Sequence, residues 1–557
     1  MNNKKLADLL FPHVDKNIDF YLKKYPRRNL SPEKIVTRYA PSPTGFQHLG
    51  GMYASLIKEK SAHQSNGIFF VRIEDTDQKR FVSDGIDDII SALKEFNIPF
   101  DEGMIDHDKY KGDYGPYIQS TRKDIYQTFI KDLVEKGLAY PCFLTEDELS
   151  DIRDKQMNKK LLPGCWGEWA KYSNCSIDEY IQLIQSGLPY VIRLRSQGVP
   201  DNRIDFIDSI RGKISMPENI LHVVLMKKDG LPTYHFAHAV DDMLMRTTDV
   251  IRGEEWLSST PIHLQLFDIL GYPAPKYAHI PTLLKMDGTS KRKLSKRKDP
   301  EISLEYYRTK GYDFSIVKEY LLQLINSDYE DWKKLNPNSS PDDFKISFSK
   351  MNSAGALFDV DKLNHISKDR ISLMPADDIY NKCLVWSEKY DSKLNNLLKC
   401  DKDYFINILN IDRHCDKPRK DIAVWSEVFD YISFFYDSLF SINESQIKDM
   451  LPSTLSLADA KLFISSYLKT FSFDDSKEVW FDKLKTCALD FGFAKNKSQY
   501  KKAPDQYKGV VADAACIIRI LLTGRTSSPD LYSIIKVLGD DRVLKRLDCF
   551  NKTNKTT

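Results

Sequence analysis

Long apolar runs are missing from this chain: nowhere do some twenty apolar residues follow one another, so no membrane-spanning helix is predicted. The N-terminal stretch MNNKKLADLLFPHVDKNIDFYLKKYPRRN carries acids throughout and has no apolar run long enough for the core of a signal peptide. A soluble, intracellular protein is expected. Net charge is almost absent as well, +2 from 81 basic and 79 acidic side chains, so any hold on nucleic acid must come from local clustering. A disulfide framework is excluded by nine cysteines, an odd number scattered at 142, 165, 175, 383, 400, 415, 487, 516 and 549, as befits a reducing compartment. No repeat of solenoid period is evident.

What is present is length and one dense loop. The 557 residues exceed what a single core supports and predict three to five structural units. In TRYAPSPTGFQHLGG, residues 37–51, two prolines, three glycines and a histidine are bracketed by a short strand (Ile35 to Tyr39) and a helix running on through MYASLIKEKSAH. Gly50 and Gly51 then sit where that helix begins, and its free N–H groups suit a phosphate. A tight structural turn is the plainer alternative. GIFFVRIEDTD, 67–77, reads as a buried strand that delivers carboxylates to a sheet edge, so strand, helix and strand form a βαβ unit with its ligand beyond the strands' carboxyl ends. From about 116 to 222 the pattern becomes that of an inserted α+β unit. HVVLMKKDGLPTYHF then predicts a hairpin on Asp229-Gly230, TTDVIRG a strand, and Thr260-Pro261 the cap of a helix. Beyond about 300, segments such as VVADAACIIRILLT and SPDLYSIIKVLG are helical in period.

Several motifs now line up in order. APSPTGFQHLGG (40–51) resembles the HIGH signature of class I aminoacyl-tRNA synthetases, and KLSKR (293–297) resembles their KMSKS loop. With RIEDTD (72–77), LPTYHFAHAVDD (231–242), DVIRGEEW (249–256) and TPIHLQLFDILG (260–271), the chain resembles bacterial-type glutamyl-tRNA synthetases from about Thr37 to Leu547, LLTGRTSSPDLYSIIKVLG (521–539) included. The fold implied is α/β: a class I Rossmann-like catalytic domain with an inserted α+β acceptor-binding unit, then an all-helical C-terminal anticodon-binding half. The domains expected are an N-terminal extension (1–33), the catalytic domain (34–115 and 223–270), the acceptor-stem-binding insertion (116–222), a stem-contact region with the KLSKR loop (271–350) and the helical anticodon-binding region (351–557).

The resemblance implies ATP-dependent attachment of L-glutamate to tRNA(Glu) through a glutamyl-adenylate, and leaves open whether tRNA(Gln) is charged too. A glutaminyl-tRNA synthetase would carry an acid in the first loop where this chain has Pro41-Ser42-Pro43, and would end in β-barrels. A nucleotidyltransferase building a dinucleotide cofactor would not need some 200 helical residues. A catalytically dead RNA-binding protein would have lost His48, Gly50 or Lys296, all of which are present.

Glutamate brings two carboxylates and an ammonium, so a selective site needs two strong donors and an acid. Arg38 and Arg252 can receive the carboxylates and Glu74 the ammonium. The resemblance assigns the same three together with Ala40, Ser42, Tyr234 and Trp256. At position 238, where the family commonly has Asn, stands His238, expected in the amino-acid site and able to titrate near pH 6 to 7. For ATP the resemblance implies Thr44, His48, Gly50, Glu255, Lys293, Lys296 and Arg297, with His48, Lys293 and Lys296 acting in catalysis. Lys296 lies in KMDGTSKRKLSKRK (285–298), seven basic residues against one acid. Mg²⁺ is expected to arrive mainly on the ATP phosphates. No protein-held metal is expected, and no zinc: Cys142 is followed two residues on by Leu144, Cys165 by Gly167, and two thiolates do not complete a tetrahedral site. The partners expected are tRNA(Glu), L-glutamate and ATP, with no membrane, for a monomeric cytoplasmic enzyme.

Overall fold

A computed structural model describes residues 2–106, 109–295 and 297–552. The chain forms two compact units, Met1–Tyr306 with Val317–Asp359, and Tyr307–Ile316 with Val360–Thr557.

The first unit is mixed α/β. Strand β1 (Val36–Tyr39) leads through the proline-rich loop into helix α1 (Leu49–Gln64) and back to β2 (Ile68–Val71), which pairs with β1 in parallel from Val36↔Ile68 to Tyr39↔Val71. Strand β3 (Glu102–Asp106) continues the parallel sheet and β4 (Lys109–Lys111) closes it antiparallel. The sequences VTRY and IFFV are buried almost throughout, as strands covered on both faces must be. A second sheet has the order Asp249–Gly253, Lys276–Ile280, Arg203–Asp208, Gly212–Pro217, the first three parallel. The Thr248 N–H donates to Val36 O at 2.9 Å and the Val36 N–H to Thr248 Oγ1 at 2.8 Å, so this sheet abuts β1. The carboxyl ends of β1, β2 and Asp249–Gly253 therefore open on one crevice. Three antiparallel strands, Ala139–Cys142, Val191–Leu194 and Val224–Met226, make a separate small sheet.

One local expectation holds and another needs correction. The Asp229-Gly230 turn closes a short hairpin: the Leu231 N–H donates to Asp229 Oδ1, the Lys227 N–H to Leu231 O and the Thr233 N–H to Leu225 O, each at 2.9 Å, around the antiparallel bridge Met226↔Pro232. Helix α2 (Tyr234–Leu244) starts two residues after Pro232 and ends the second arm. Helix α3 (Thr260–Ile269) is preceded by Ser259 at the N-cap position, with no side-chain capping bond, and Thr260 is its first residue. The Thr260 hydroxyl is engaged by Arg252 instead, at 2.9 Å.

The second unit is helical, built on one apolar cluster that includes Leu398, Phe405, Phe463, Ile464, Leu484, Ile517, Leu521 and Ile534. VVADAACIIRILLT forms Val511–Thr523 and ends at Gly524, whose φ of 66° is left-handed; SPDLYSIIKVLG forms Leu531–Leu538. Among the described residues no helix is long and apolar enough to cross a membrane.

Candidate active site

A cavity of about 530 Å³ opens where the proline-rich loop, the end of β2, α2 and the Asp249–Gly253 strand converge. Ala40, Ser42, Thr44, His48 and Gly50 line it from the loop, Arg38 from β1, Glu74 from beyond β2, Tyr234 from α2, and Arg252, Glu255 and Trp256 from the strand end and the turn after it. Lys293 lines it from the strand Ser290–Lys293. His238 and Arg297 are not among the lining residues, and Lys296 lies outside the described residues.

Local chemistry explains the loop. His48 occupies the N-cap position of α1, and its Nδ1 accepts from the Gly51 N–H at 3.1 Å. That donor is thus taken by the protein itself. A Cβ on Gly50 would stand 3.2 Å from the same His48 nitrogen, and one on Gly51 3.0 Å from the Tyr39 hydroxyl, so these glycines make room for His48 and Tyr39. Gly253 does the same for Glu255, whose carboxylate a Cβ there would overlap.

The two arginines are fixed in different ways. Arg38 donates through Nε to both carboxylate oxygens of Asp242 at 3.1 Å. Asp242 also accepts from Arg72 at 2.8 Å, and Arg72 reaches Glu74 at 2.9 Å, so one buried chain of charges sets both Arg38 and Glu74. The arginines hold Asp242 well below the usual carboxylate range despite burial, whereas burial raises Glu74 against the pull of Arg72 and Arg38. Arg252 has no carboxylate partner among the described residues. Its guanidinium donates to His279 Nε2 (3.0 Å), His263 Nδ1 (2.8 Å), Trp256 O (3.1 Å) and Thr260 Oγ1 (2.9 Å). Asp208 accepts from His279 Nδ1 at 2.6 Å, which leaves Nε2 as the acceptor Arg252 needs. On the other side, His263 Nε2 stands 3.0 Å from His235 Nδ1, so a neutral His263 accepts from Arg252 and donates onward. Burial lowers all three histidines, His235 to about 4, and Arg252 adds to that effect. Tyr234 and Trp256 close this wall with ring centroids 4.4 Å apart.

His238 corrects an expectation. It is fully buried beneath Tyr234, ring centroids 5.8 Å apart, with Nδ1 2.8 Å from Asp242 Oδ2. Burial lowers it to about 4, so it does not titrate near pH 6 to 7. It supports Arg38 through Asp242 from behind the cavity wall. The neighbouring acid Asp241 is likewise committed, to Arg122 at 2.7 Å, Tyr126 at 2.7 Å and Gln119 at 2.9 Å.

Comparison with known proteins bears on this arrangement. Residues 34–364, more than half of the chain, match the model for class I tRNA synthetases (E and Q), catalytic domain. The chain is a class I tRNA synthetase of the E and Q family. Residues 396–550 of the synthetase match an anticodon binding domain. A glutamate–tRNA ligase of Clostridium perfringens is 51% identical over 547 residues, covering 98% of this chain and 100% of that one; one of Acetivibrio thermocellus is 46% identical over 98% and 99%. Among solved structures, a glutamate tRNA ligase from Elizabethkingia meningosepticum in complex with its amino acid superposes with a TM-score of 0.75 at 26% identity, covering 94% of this chain and 100% of that chain.

In the synthetase the basic run 285–298 is less free than its composition suggests. Arg292 is claimed by Asp299, at 2.5 and 2.8 Å, and by Asp287 at 2.8 Å; Lys285 pairs with Glu301. Asp299 also accepts the Ser295 N–H at 2.9 Å and so pins the base of the KLSKR loop. Two of the run's acid partners, Asp299 and Glu301, lie just past its end, where a window drawn on the basic residues stops short of them. Sequence reading also missed Asp208, His263 and His279 behind Arg252, and Lys58 and Arg80 on the cavity wall. TPIHLQLFDILG had already singled out the segment of His263; nothing local marks Asp208, which meets His279 only through the strand pair Tyr277↔Asp208.

Proposed function

We propose that this synthetase attaches L-glutamate to tRNA(Glu), using ATP and passing through a glutamyl-adenylate. The observation that carries the reading is the meeting, in one cavity, of two arginines, a carboxylate and an aromatic wall with the loop residues expected to hold a nucleotide. Arg38 and Arg252 suit the two carboxylates of glutamate, and Glu74 its ammonium. Ala40, Ser42, Tyr234 and Trp256 shape that pocket. Thr44, His48, Gly50, Glu255 and Lys293 face the nucleotide, joined by Lys296 and Arg297 of the loop. Adenylate formation needs no protein nucleophile: the glutamate carboxylate attacks the α-phosphorus, and the protein supplies in-line placement and fixed positive charge. Mg²⁺ enters with the ATP phosphates, in keeping with its preference for substrate oxygens over a protein cage.

The insertion would hold the acceptor stem and the helical unit the anticodon, in a monomeric cytoplasmic enzyme. Glutamate, and not glutamine, should support ATP–pyrophosphate exchange in the presence of tRNA, and transcripts of tRNA(Glu) should be glutamylated; tRNA(Gln) transcripts tested alongside report whether charging extends to them. Exchange with glutamine alone would reject the reading. Within it, Lys296→Met should slow exchange at least about a hundredfold, as loss of one preorganised charge at a transition state does. Lys298→Met, just beyond the loop motif, should change tRNA affinity modestly and lower its salt slope by about one. Equal losses in the two variants would remove Lys296 from catalysis.

A further inference from the structure

Lys58 is a charged group of the cavity that the assignments above leave unused. It follows Ala54 by one helical turn on α1, and both line the cavity. The side chain is 6% exposed, and its Nζ stands 5.1 Å from the centre of the Tyr39 ring. Several other buried cations of this unit have carboxylates: Arg38 has Asp242, Arg72 has Glu74 and Asp242, Arg122 has Asp241, and Lys60 on the same helix has Asp342; Arg252 and Arg193 have none, but they donate to uncharged acceptors, Arg252 to His263, His279, Thr260 and Trp256 O and Arg193 to His222 O. Lys58 accepts no such partner among the described residues. The acids that face it are Glu74, already bound by Arg72, and Glu255 across the cavity; Arg38 and the Tyr39 ring face it from β1. Burying an ammonium without a counter-ion is costly, and such a group is kept where a ligand completes it. Of the charged groups that face it, Arg38 and Glu74 belong to the glutamate set and Glu255 to the ATP set, so its surroundings lean to the amino-acid side. Arg38 also shares Asp242 with Arg72, so part of its charge is spent inside the protein before any substrate arrives.

We propose that Lys58 is a third cationic donor of the amino-acid pocket, its ammonium donating to a carboxylate oxygen of the substrate amino acid beside Arg38. This rests on the reading of glutamate as substrate. A pH signature follows. Burial, helped by Arg38 and opposed by Glu74 and Glu255, lowers the Lys58 amine to about 7 in the empty cavity. A bound carboxylate favours the protonated form, so binding above pH 7 takes up a proton and weakens as pH rises, approaching about tenfold per pH unit.

The test is the KM for glutamate and for ATP in tRNA-supported pyrophosphate exchange by the full chain, from pH 6.5 to 8.5, for the parent, Lys58→Met and Lys58→Arg. In the parent the glutamate KM should climb above pH 7. Lys58→Met should raise it at least about tenfold at pH 7 and flatten the climb attributable to the amine, with ATP KM changed less than about twofold and no fall in thermal midpoint. Lys58→Arg, whose charge persists over this range, should flatten the profile while keeping more of the affinity. A glutamate KM in Lys58→Met within about twofold of the parent overturns the proposal, with or without a lowered midpoint, since that is how a structural counter-ion behaves. A shift in ATP KM alone overturns it in favour of a phosphate contact. Failure of the parent to exchange with glutamate would strike the functional reading instead.

Discussion

In the first unit Arg72, Arg122, Asp241 and Asp242 lie at most 1% exposed among their ionic partners, whereas the charged residues among the buried ones described in the second unit are only Asp313 and Arg546. Arg546 itself rests mainly on backbone, donating to Phe434 O at 2.8 Å and Leu522 O at 2.6 Å, with the half-exposed Asp437 as its acid. The second unit gains its order from apolar burial, which needs no partner of opposite charge. The first unit buries charge beside a cavity lined by Arg38, Glu74 and Arg252, and that charge returns little net stability for its desolvation. What it secures is direction: each guanidinium is locked before a substrate enters, as catalysis by fixed dipoles and charges requires.

The contrast is broken most severely at Arg72. Replacing it with Met takes from the buried Glu74 its arginine and leaves Asp242 with Arg38 and His238, and urea unfolding of the first unit should show a loss of about 3–5 kcal/mol. Arg546→Met in the second unit leaves carbonyls and an exposed acid unpaired, and about 1–3 kcal/mol is expected there. Equal losses would mean that the two interiors tolerate charge alike.

Acid should separate the units next. His222, His235 and His238 are held at about 4 by burial, with His263 and His279 also lowered, and all five belong to the first unit; His365 and His414 of the second are exposed. The folded-state values lie below the unfolded value of about 6.5, so the unfolded chain binds these protons first. Their stabilising contribution is whole above about pH 6.5 and is lost as pH falls toward 4. Hydrogen exchange, corrected for intrinsic rate, should therefore show the first unit weakening between pH 6.5 and 4.5 before the second. His238→Asn should recover on the order of 2 kcal/mol at pH 4.5. The same variant should leave the pH profile of the glutamate KM between about 6 and 8 unchanged, because a ring held near 4 stays neutral there.

The smallest effect expected runs the other way. His63, on α1, sits 2.8 Å from Glu59 and 3.0 Å from Asp101, and Asp101 and Glu59 raise it to about 9. A folded value above the unfolded one adds stability that is complete below about pH 6.5 and disappears as pH rises through 9. Asp101 is 43% exposed and water screens the pair, so His63→Gln should cost less than about 1 kcal/mol at pH 6 and nothing measurable at pH 10 in denaturant melts.

Much of this division was legible in the chain before folding. The proline-rich loop between a strand and a helix, the carboxylates at the end of IFFVRIEDTD and the change to helical period past about 300 all depend on neighbours close in sequence, and all stand in the structure. The hairpin on Asp229-Gly230 stands too, kept short because its second arm runs straight into α2. His238 was misjudged because position on a helix turn says that a side chain shares a face with Tyr234, not that Tyr234 covers it.

The sequence by itself determined the order of motifs, the change from mixed α/β to helical elements and the residue types a glutamate pocket requires, since these follow from local periodicity and from side-chain chemistry. Only the tertiary structure decided which groups are charged and which way they point. Asp208 and His279 meet across a separation of 71 residues, and His279 meets Arg252 across 27, through adjoining strands. His238 is neutral because it is buried between Tyr234 of its own helix and His263 of the next one, and that burial outweighs the pull of Asp242 toward the charged form. Lys58 lacks a carboxylate because the nearest ones are drawn off by Arg72 or stand across the cavity. Burial and partnership, which fix protonation and orientation, are properties of the packed interior, and no spacing along the chain encodes them.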